Sequence, residues 1–443
     1  MTEKLAQKPA APLPPPFIKP NTPKRRRRPP GRKAGHAAAL RPVLAHIDEH
    51  RTVELPRDPG GTASCPHCHT QLSDLRHHER VIEEIIPARP ITLCYHTTSG
   101  YCPSCRKRIE SRAEEQPPPA DVPHAQLGLN ALCTAAILRV IYRLPLRQIA
   151  SLFEQLPGLS ISPAGIVKQL RRLSKWLLTQ YHRLKLLIRA SAVVYADETG
   201  WRTDGKNTQL WTLTTDRHTL YHVDESRSGK VIAQLLGEAF GADGKSTLVS
   251  DFYSAYDHFD CPQQKCLVHL LRELKETIAR RTELFSHPFF QRCKRLLKEM
   301  LKLKDKAAQL TPEVYAHQVQ LLEKRLTQLG EERFDDADAD RLARRIGKYN
   351  GKLTTFLHKP QVDASNNAAE RALRPAVVMR KITGGSRSAL SANAWAILAS
   401  VMRTAQQQGR DLMETLQTLL KAQWAGKNIT LLSDLLTLNE SSR

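Results

Sequence analysis

The chain has 443 residues, with 67 Lys plus Arg against 44 Asp plus Glu, a formal net charge of +23. At roughly 150 residues per compact unit the length allows about three domains, and a hydrophobic content of 41 % excludes wholesale disorder. The longest apolar runs, such as residues 135–138, fall far short of the roughly 20 residues of a membrane span. Residues 1–20 hold no apolar signal-peptide core. Nine cysteines without an export signal argue against a disulfide scaffold, so a cytoplasmic protein with a polyanionic partner and no membrane association is expected.

In chain order, residues 1–42 come first, with eleven Lys or Arg against one acid, Glu3. They are rich in proline and include the run Lys24-Arg25-Arg26-Arg27-Arg28, followed by Arg32 and Lys33. Proline at this density forbids helix, which predicts a disordered basic arm. Its excess of about ten charges fits salt-dependent, sequence-blind contact with phosphates, and a solubilising tail has the same composition. The other excess, about +13, is spread over the remaining chain.

Cys65-Pro66-His67-Cys68 is answered, after 33 intervening residues, by Cys102-Pro103-Ser104-Cys105. Two such knuckles can converge four thiolates on one tetrahedral ion, which predicts a structural zinc site of Cys65, Cys68, Cys102 and Cys105. Strands over Val81–Ile86 and Ile91–Tyr95 are expected in the spacer. His67, His69, His77, His78, Cys94 and His96 are possible substitutes for a thiolate, and Cys133, Cys261 and Cys293 are expected to be buried. Gln116-Pro117-Pro118-Pro119 reads as a linker.

Helical periodicity runs from Leu127 to Leu187. Ser162-Pro163 supplies an N-cap and a first-position proline to a helix whose basic side holds Lys168, Arg171, Arg172 and Lys175. This suits a helix-turn-helix reader and a plain packing domain equally. Strands are expected at Ala192–Ala196, Leu210–Thr215, Thr219–Val223 and Thr247–Ser250, with a fifth near Gln264–Val268 and a helix capped by Ser228, in the order βββαββ. Phe289–Leu357, Ala392–Gln408 and Asp411–Gln423 are predicted helical.

Asp197 is expected to end the first buried strand, and Asp251 to end the fourth, Thr247–Ser250. Carboxylates at buried strand ends cap helices or bind ligands. If the two strands are neighbours, the pair can share divalent ions, and a further carboxylate is needed for two Mg²⁺. Asn366-Asn367-Ala368-Ala369-Glu370-Arg371 offers Glu370, though Asn367 with Glu370 also reads as a capping box and Glu370 with Arg374 as an i,i+4 ion pair. Glu198, Asp204 and Asp257 are rival carboxylates. Cys266 and His269 form a lone CxxH, read as a packed pair beside the site. Arg371, Arg374, Arg380 and Lys381 suit phosphate contact and solvated surface equally.

Taken together, these motifs resemble a bacterial DDE transposase, the large catalytic subunit, of the insertion-sequence sixty-six family, over roughly residues 24–443. The resemblance rests on Pro30-Gly31-Arg32-Lys33-Ala34-Gly35-His36 and the two knuckles with Ile86-Pro87-Ala88-Arg89 between them. It rests further on Asp197-Glu198-Thr199-Gly200-Trp201-Arg202, Asp251-Phe252-Tyr253-Ser254-Ala255-Tyr256, Cys266-Leu267-Val268-His269-Leu270-Leu271-Arg272 and the glutamate block from Asn366 to Pro375. The second block has Asp-Phe-Tyr where Asp-Gly-Tyr is common, which changes the residue beside a carboxylate and not the carboxylate.

The resemblance implies a multidomain protein with an α/β RNase H-like catalytic core. Its expected organisation is a basic Pro-rich arm at 1–54, a zinc-binding domain at 55–115 and a helical domain at 120–188. A DDE core at 189–390 follows, with a mostly α-helical insertion at about 285–358, and then C-terminal helices at 391–443. It implies two Mg²⁺ or Mn²⁺ ions on Asp197, Asp251 and Glu370, strand cleavage and strand transfer at insertion-sequence ends, and one structural Zn²⁺. The implied partners are terminal inverted repeats and target DNA, a homo-oligomer on DNA and two small accessory proteins, at a prokaryotic nucleoid. The basic residues Lys24, Arg25, Arg26, Arg27, Arg28, Arg32 and Lys33 are expected to bind DNA. The rival readings are a zinc-containing DNA-binding protein without catalysis and an RNase H-like nuclease.

Overall fold

The structure, a computed structural model, describes residues 55–63, 65–68, 70–73, 89–94, 96, 98–111, 116 and 127–427. The arm with Lys24–Arg28, Arg32 and Lys33, the strand expected at Val81–Ile86, and His69, His77 and His78 lie outside them. The chain divides into two units, Met1–Glu84 and Ile85–Arg443.

In the first unit, Arg57 and Ala63 form an antiparallel bridge closed by Asp58, whose carboxylate accepts from Thr62 N at 2.9 Å. Cys65 N donates to Thr70 O at 2.9 Å, which folds the first knuckle into a tight turn.

The second unit opens with an antiparallel hairpin of β1 (Ser99–Cys102) and β2 (Lys107–Glu110), which holds the second knuckle in its loop. Residues 91–94 are not a strand. The β structure lies further along, where the Cys102-to-Cys105 turn supplies the chain reversal.

Four helices follow, α1 (Leu129–Val140), α2 (Leu146–Gln155), α3 (Pro163–Trp176) and α4 (Leu178–Arg189). The Ser162 hydroxyl caps α3 by accepting from Gly165 N, with Pro163 at the first position. The basic side of α3 is partly consumed within the fold. Arg171 donates to Ser388 and Ser391, and Arg172 stacks over Trp176.

The sheet comprises β3 (Val193–Thr203), β4 (Lys206–Thr214), β5 (Thr219–Asp224), β6 (Thr247–Ser250) and β7 (Gln263–Lys265), with α5 (Gly229–Leu236) between β5 and β6. Its order is β5-β4-β3-β6-β7, antiparallel from β5 to β3 and parallel from β3 to β7. β3 is twice as long as expected because Asp204-Gly205, both at positive φ, make a two-residue hairpin turn into β4. Asp197 therefore does not end its strand but lies within it, opposite Thr212.

After β7 come α6 (Leu267–Arg280), α7 (Pro288–Asp305), α8 (Pro312–Glu331), α9 (Ala337–Lys348), α10 (Asn350–Leu353) and α11 (Thr355–His358). Then α12 (Asn367–Thr383), α13 (Ala389–Gln407) and α14 (Leu412–Trp424) complete the chain as described. Alternation along the strands feeds two cores. Val194, Ala196 and Leu248 join a core with α1–α5, α13 and α14. Tyr195 and Val249 point into a second core built by α6–α11 and Ala369. Among the other cysteines, Cys133, Cys266 and Cys293 are buried, whereas Cys261 is only half-buried.

Helices α8 and α9 touch backbone to backbone at Gly330 and Gly347, where a Cβ on Gly330 would lie 2.7 Å from Gly347 N. Gly330→Ala is expected to cost about 1–3 kcal/mol in urea denaturation by forcing the helices apart. Gly351→Ala, with open space around it, should leave stability unchanged or slightly higher.

Candidate active site

The parallel register pairs Tyr195 with Val249, so the same offset sets Asp197 level with Asp251, the residue after β6. A strand that stops at Ser250 frees the chain to turn, and Asp251 Oδ1 accepts from Tyr253 N at 2.9 Å in doing so. The third carboxylate arrives on α12, 119 residues later. Asn366 holds that helix in place. It is fully buried, its Nδ2 donates to Ala196 O at 2.8 Å, and its N–H donates to Cys266 Sγ at 3.1 Å. One side chain thus ties the start of α12 to the residue before Asp197, and its backbone to the N-cap of α6.

The capping box of Asn367 with Glu370 does not form, because Asn366 is the N-cap and turns its amide to the sheet instead. Nor is Glu370 paired with Arg374. Its oxygens face His269 Nε2 at 3.7 Å and Arg272 at 4.0 Å, both from α6. The Cys266-His269-Arg272 spacing is thereby explained: Cys266 receives Asn366, and the next two turns of α6 present an imidazole and a guanidinium to Glu370. Carboxylate counting passes over Arg272 and Asn366; the signal for Arg272 is the i, i+3, i+6 pattern of its block, and Asn366 stands at the head of the glutamate block.

The acids act on one another. Asp197 is half-buried, and burial, followed by the charges of Glu198 and Asp251, pushes its carboxyl up to about 8, with Glu370 adding to the shift. Glu370 Oε1 is buried and accepts no hydrogen bond, since 3.7 Å to His269 is too long for one.

The rival carboxylates are spent elsewhere. Glu198, beside Asp197, is held by Arg227 at 2.7 Å and by Tyr256 Oη at 2.5 Å, and Arg227 in turn lies over the Tyr253 ring. Asp257 takes Lys265, Lys348 and Tyr349. Asp204 occupies the exposed β3–β4 turn.

Among the described residues, no three His, Cys, Asp or Glu side chains converge tightly enough as they stand to enclose a metal ion. The donor set nonetheless suits a hard divalent cation: carboxylate oxygens only, one of them buried without a partner, and one acid whose carboxyl is pushed up by burial and by neighbouring acids. At the knuckles, the Cys68 thiol is lowered by hydrogen bonding with Thr70, and the Cys102 thiol by the backbone N–H of Cys105.

A mixed sheet bearing clustered acids at its parallel junction is compatible with the catalytic domain of a DNA-processing enzyme, and residues 124–394, more than half of the chain, match a transposase family. The chain belongs to the transposase IS66 family. No curated protein matches it. The matched span contains the whole five-stranded sheet and Asp197, Asp251 and Glu370. No described helix is long and apolar enough to cross a membrane.

Proposed function

We propose that the protein cleaves and joins DNA strands at insertion-sequence ends, with Asp197, Asp251 and Glu370 as the catalytic carboxylates of an RNase H-like core. The observation that carries this reading is the placement of three acids by the β3–β6 register and the Asn366 anchor, near enough that Asp251 and Glu370 both add to the raised Asp197 carboxyl, inside a strongly basic protein. The order β5-β4-β3-β6-β7, with a helical insertion delaying the glutamate, supports the fold assignment.

Two Mg²⁺ or Mn²⁺ ions held by these carboxylates would activate the attacking water or 3′-hydroxyl and stabilise the leaving oxygen. The chain's own residues keep the site ready. Arg227 and Tyr256 engage both oxygens of Glu198, which leaves it less free to compete for cations. Arg272 offers a guanidinium to the phosphate side of Glu370.

Cys65, Cys68, Cys102 and Cys105 form the zinc site in this reading, supported by the lowered Cys68 and Cys102 thiols. The basic arm anchors phosphates, and joining two element ends calls for a homo-oligomer, assisted by two accessory proteins. A nicking assay on duplexes carrying the terminal inverted repeats tests the proposal. Mg²⁺-dependent cleavage should disappear in Asp251→Asn and Glu370→Gln, and metal analysis of the same preparation should return about one zinc per chain. Sequence-selective binding with no cleavage would favour a DNA-binding protein without catalysis, and cutting of hybrids regardless of the repeats would favour a nuclease.

A further inference from the structure

We propose that one face of α12 is a track for the phosphodiester backbone of the DNA strand leading away from the carboxylates, built by Arg374 and Lys381. The proposal rests on the catalytic reading only in where the track starts.

Helix α12 has four Lys or Arg and a single acid, Glu370, in 17 residues. At 100° per residue, Arg374 lies about 40° and Lys381 about 20° around the axis from Glu370, at rises of about 6 Å and about 16 Å. The two cations therefore continue the same face as the carboxylate. Arg371, about 100° away, does not. Arg374 and Lys381 are both exposed. The acid nearest in the helix is already faced by His269 and Arg272.

This differs from the surface of the helical insertion, where Arg325, Arg341 and Arg344 each meet a carboxylate, on Glu299, Glu273 and Asp340. Those three guanidiniums are paired with acids, whereas along α12 the cations outnumber the one acid four to one.

The track is also rigid. The fourth cation, Arg380, is turned inward, donating to Thr199 Oγ1 at 3.2 Å and to Gly200 O. At the far end, Ser386 N donates to Arg202 O at 2.8 Å and Asp204 N to Ser386 O at 2.9 Å. With Asn366 bound to Ala196 O, α12 is pinned along β3 at both ends. A repeating anion is the partner that complements two exposed cations spaced about 10 Å along the axis of a pinned helix.

The test uses the full chain in an Asp251→Asn background, with a duplex carrying the inverted repeat and anisotropy read across roughly 50–200 mM salt. Arg374→Ala with Lys381→Ala should weaken binding about tenfold and flatten the slope of log K against log salt by nearly 2, as expected for two lost phosphate contacts. Lys298→Ala with Lys302→Ala, exposed cations on α7, should leave the slope unchanged. An unchanged slope in the α12 pair, or an equal loss in both pairs, overturns the track. Binding is read without cleavage, so this outcome is separate from that of the carboxylates.

Discussion

Asp197→Asn is expected to abolish strand cleavage, by roughly 10³-fold or more, while making the metal-free protein more stable at neutral pH. The first effect follows from losing a catalytic carboxylate, the second from the site's electrostatics. Burial and the neighbouring acids raise the Asp197 carboxyl to about 8, against about 4 in an unfolded chain. The native state therefore holds a proton that the unfolded chain releases, and wild-type stability falls as pH rises from about 4 to about 8. The penalty is absent below that window and complete above it. Asparagine does not titrate, so the variant should gain on wild type through the window, by about 1–3 kcal/mol once solvent screening of this half-buried group is allowed for. Thermal melts at pH 4, 6 and 8 without divalent ions read the gap directly. Adding Mg²⁺ should raise the wild-type Tm and shift Asp197→Asn much less, because a cation that binds the native acids stabilises by mass action. A pH-independent gap would separate the stability effect from the acid cluster.

The second large effect is expected at the far edge of the sheet. Lys265 is completely buried, with Nζ 3.0 Å from Asp257 and 3.1 Å from Ser250 Oγ, the residue before Asp251. Burial lowers the lysine, partly offset by Asp257. Asp257→Asn leaves a buried ammonium with neutral partners only, the new amide and the Ser250 hydroxyl, and is expected to cost about 3–5 kcal/mol in urea denaturation. The sign with pH is opposite to that of Asp197. A lysine lowered in the native state is penalised while protonated, so the Asp257→Asn deficit should shrink as pH rises toward about 10. Adding Lys265→Met should recover most of the loss, because a buried pair replaced by apolar volume is often neutral while a broken pair is not. Additive losses in the double variant would place the cost elsewhere.

Local chemistry made several elements legible in advance. Thr247–Ser250 is a strand with the predicted bounds and Ser162-Pro163 starts α3, since each depends on side chains within a few residues, whereas Ser228 precedes α5 without its side chain capping the helix. β3 was legible only to Ala196. Its remainder depends on Asp204-Gly205, a hairpin signal present in the sequence, and on pairing with β4. The roles of the acids divided in the same way. Asp197 and Asp251 stand out as carboxylates beside apolar runs, but Glu198, next to Asp197, is set apart only by Arg227 and Tyr256, 29 and 58 residues away.

The sequence by itself determined the apolar runs that bury β3 and β6, the knuckles' paired thiols, the basic balance and the blocks that mark the family. Those follow from periodicity, spacing and charge, which are local or additive. Only the tertiary structure decided which acid is neutralised and which is left under pressure, and that Asn366 spends its amide on Ala196 rather than on a helix cap. A polar group takes the partner that folding brings within about 3 Å, and at separations such as the 170 residues between Ala196 and Asn366 that choice belongs to the packed core.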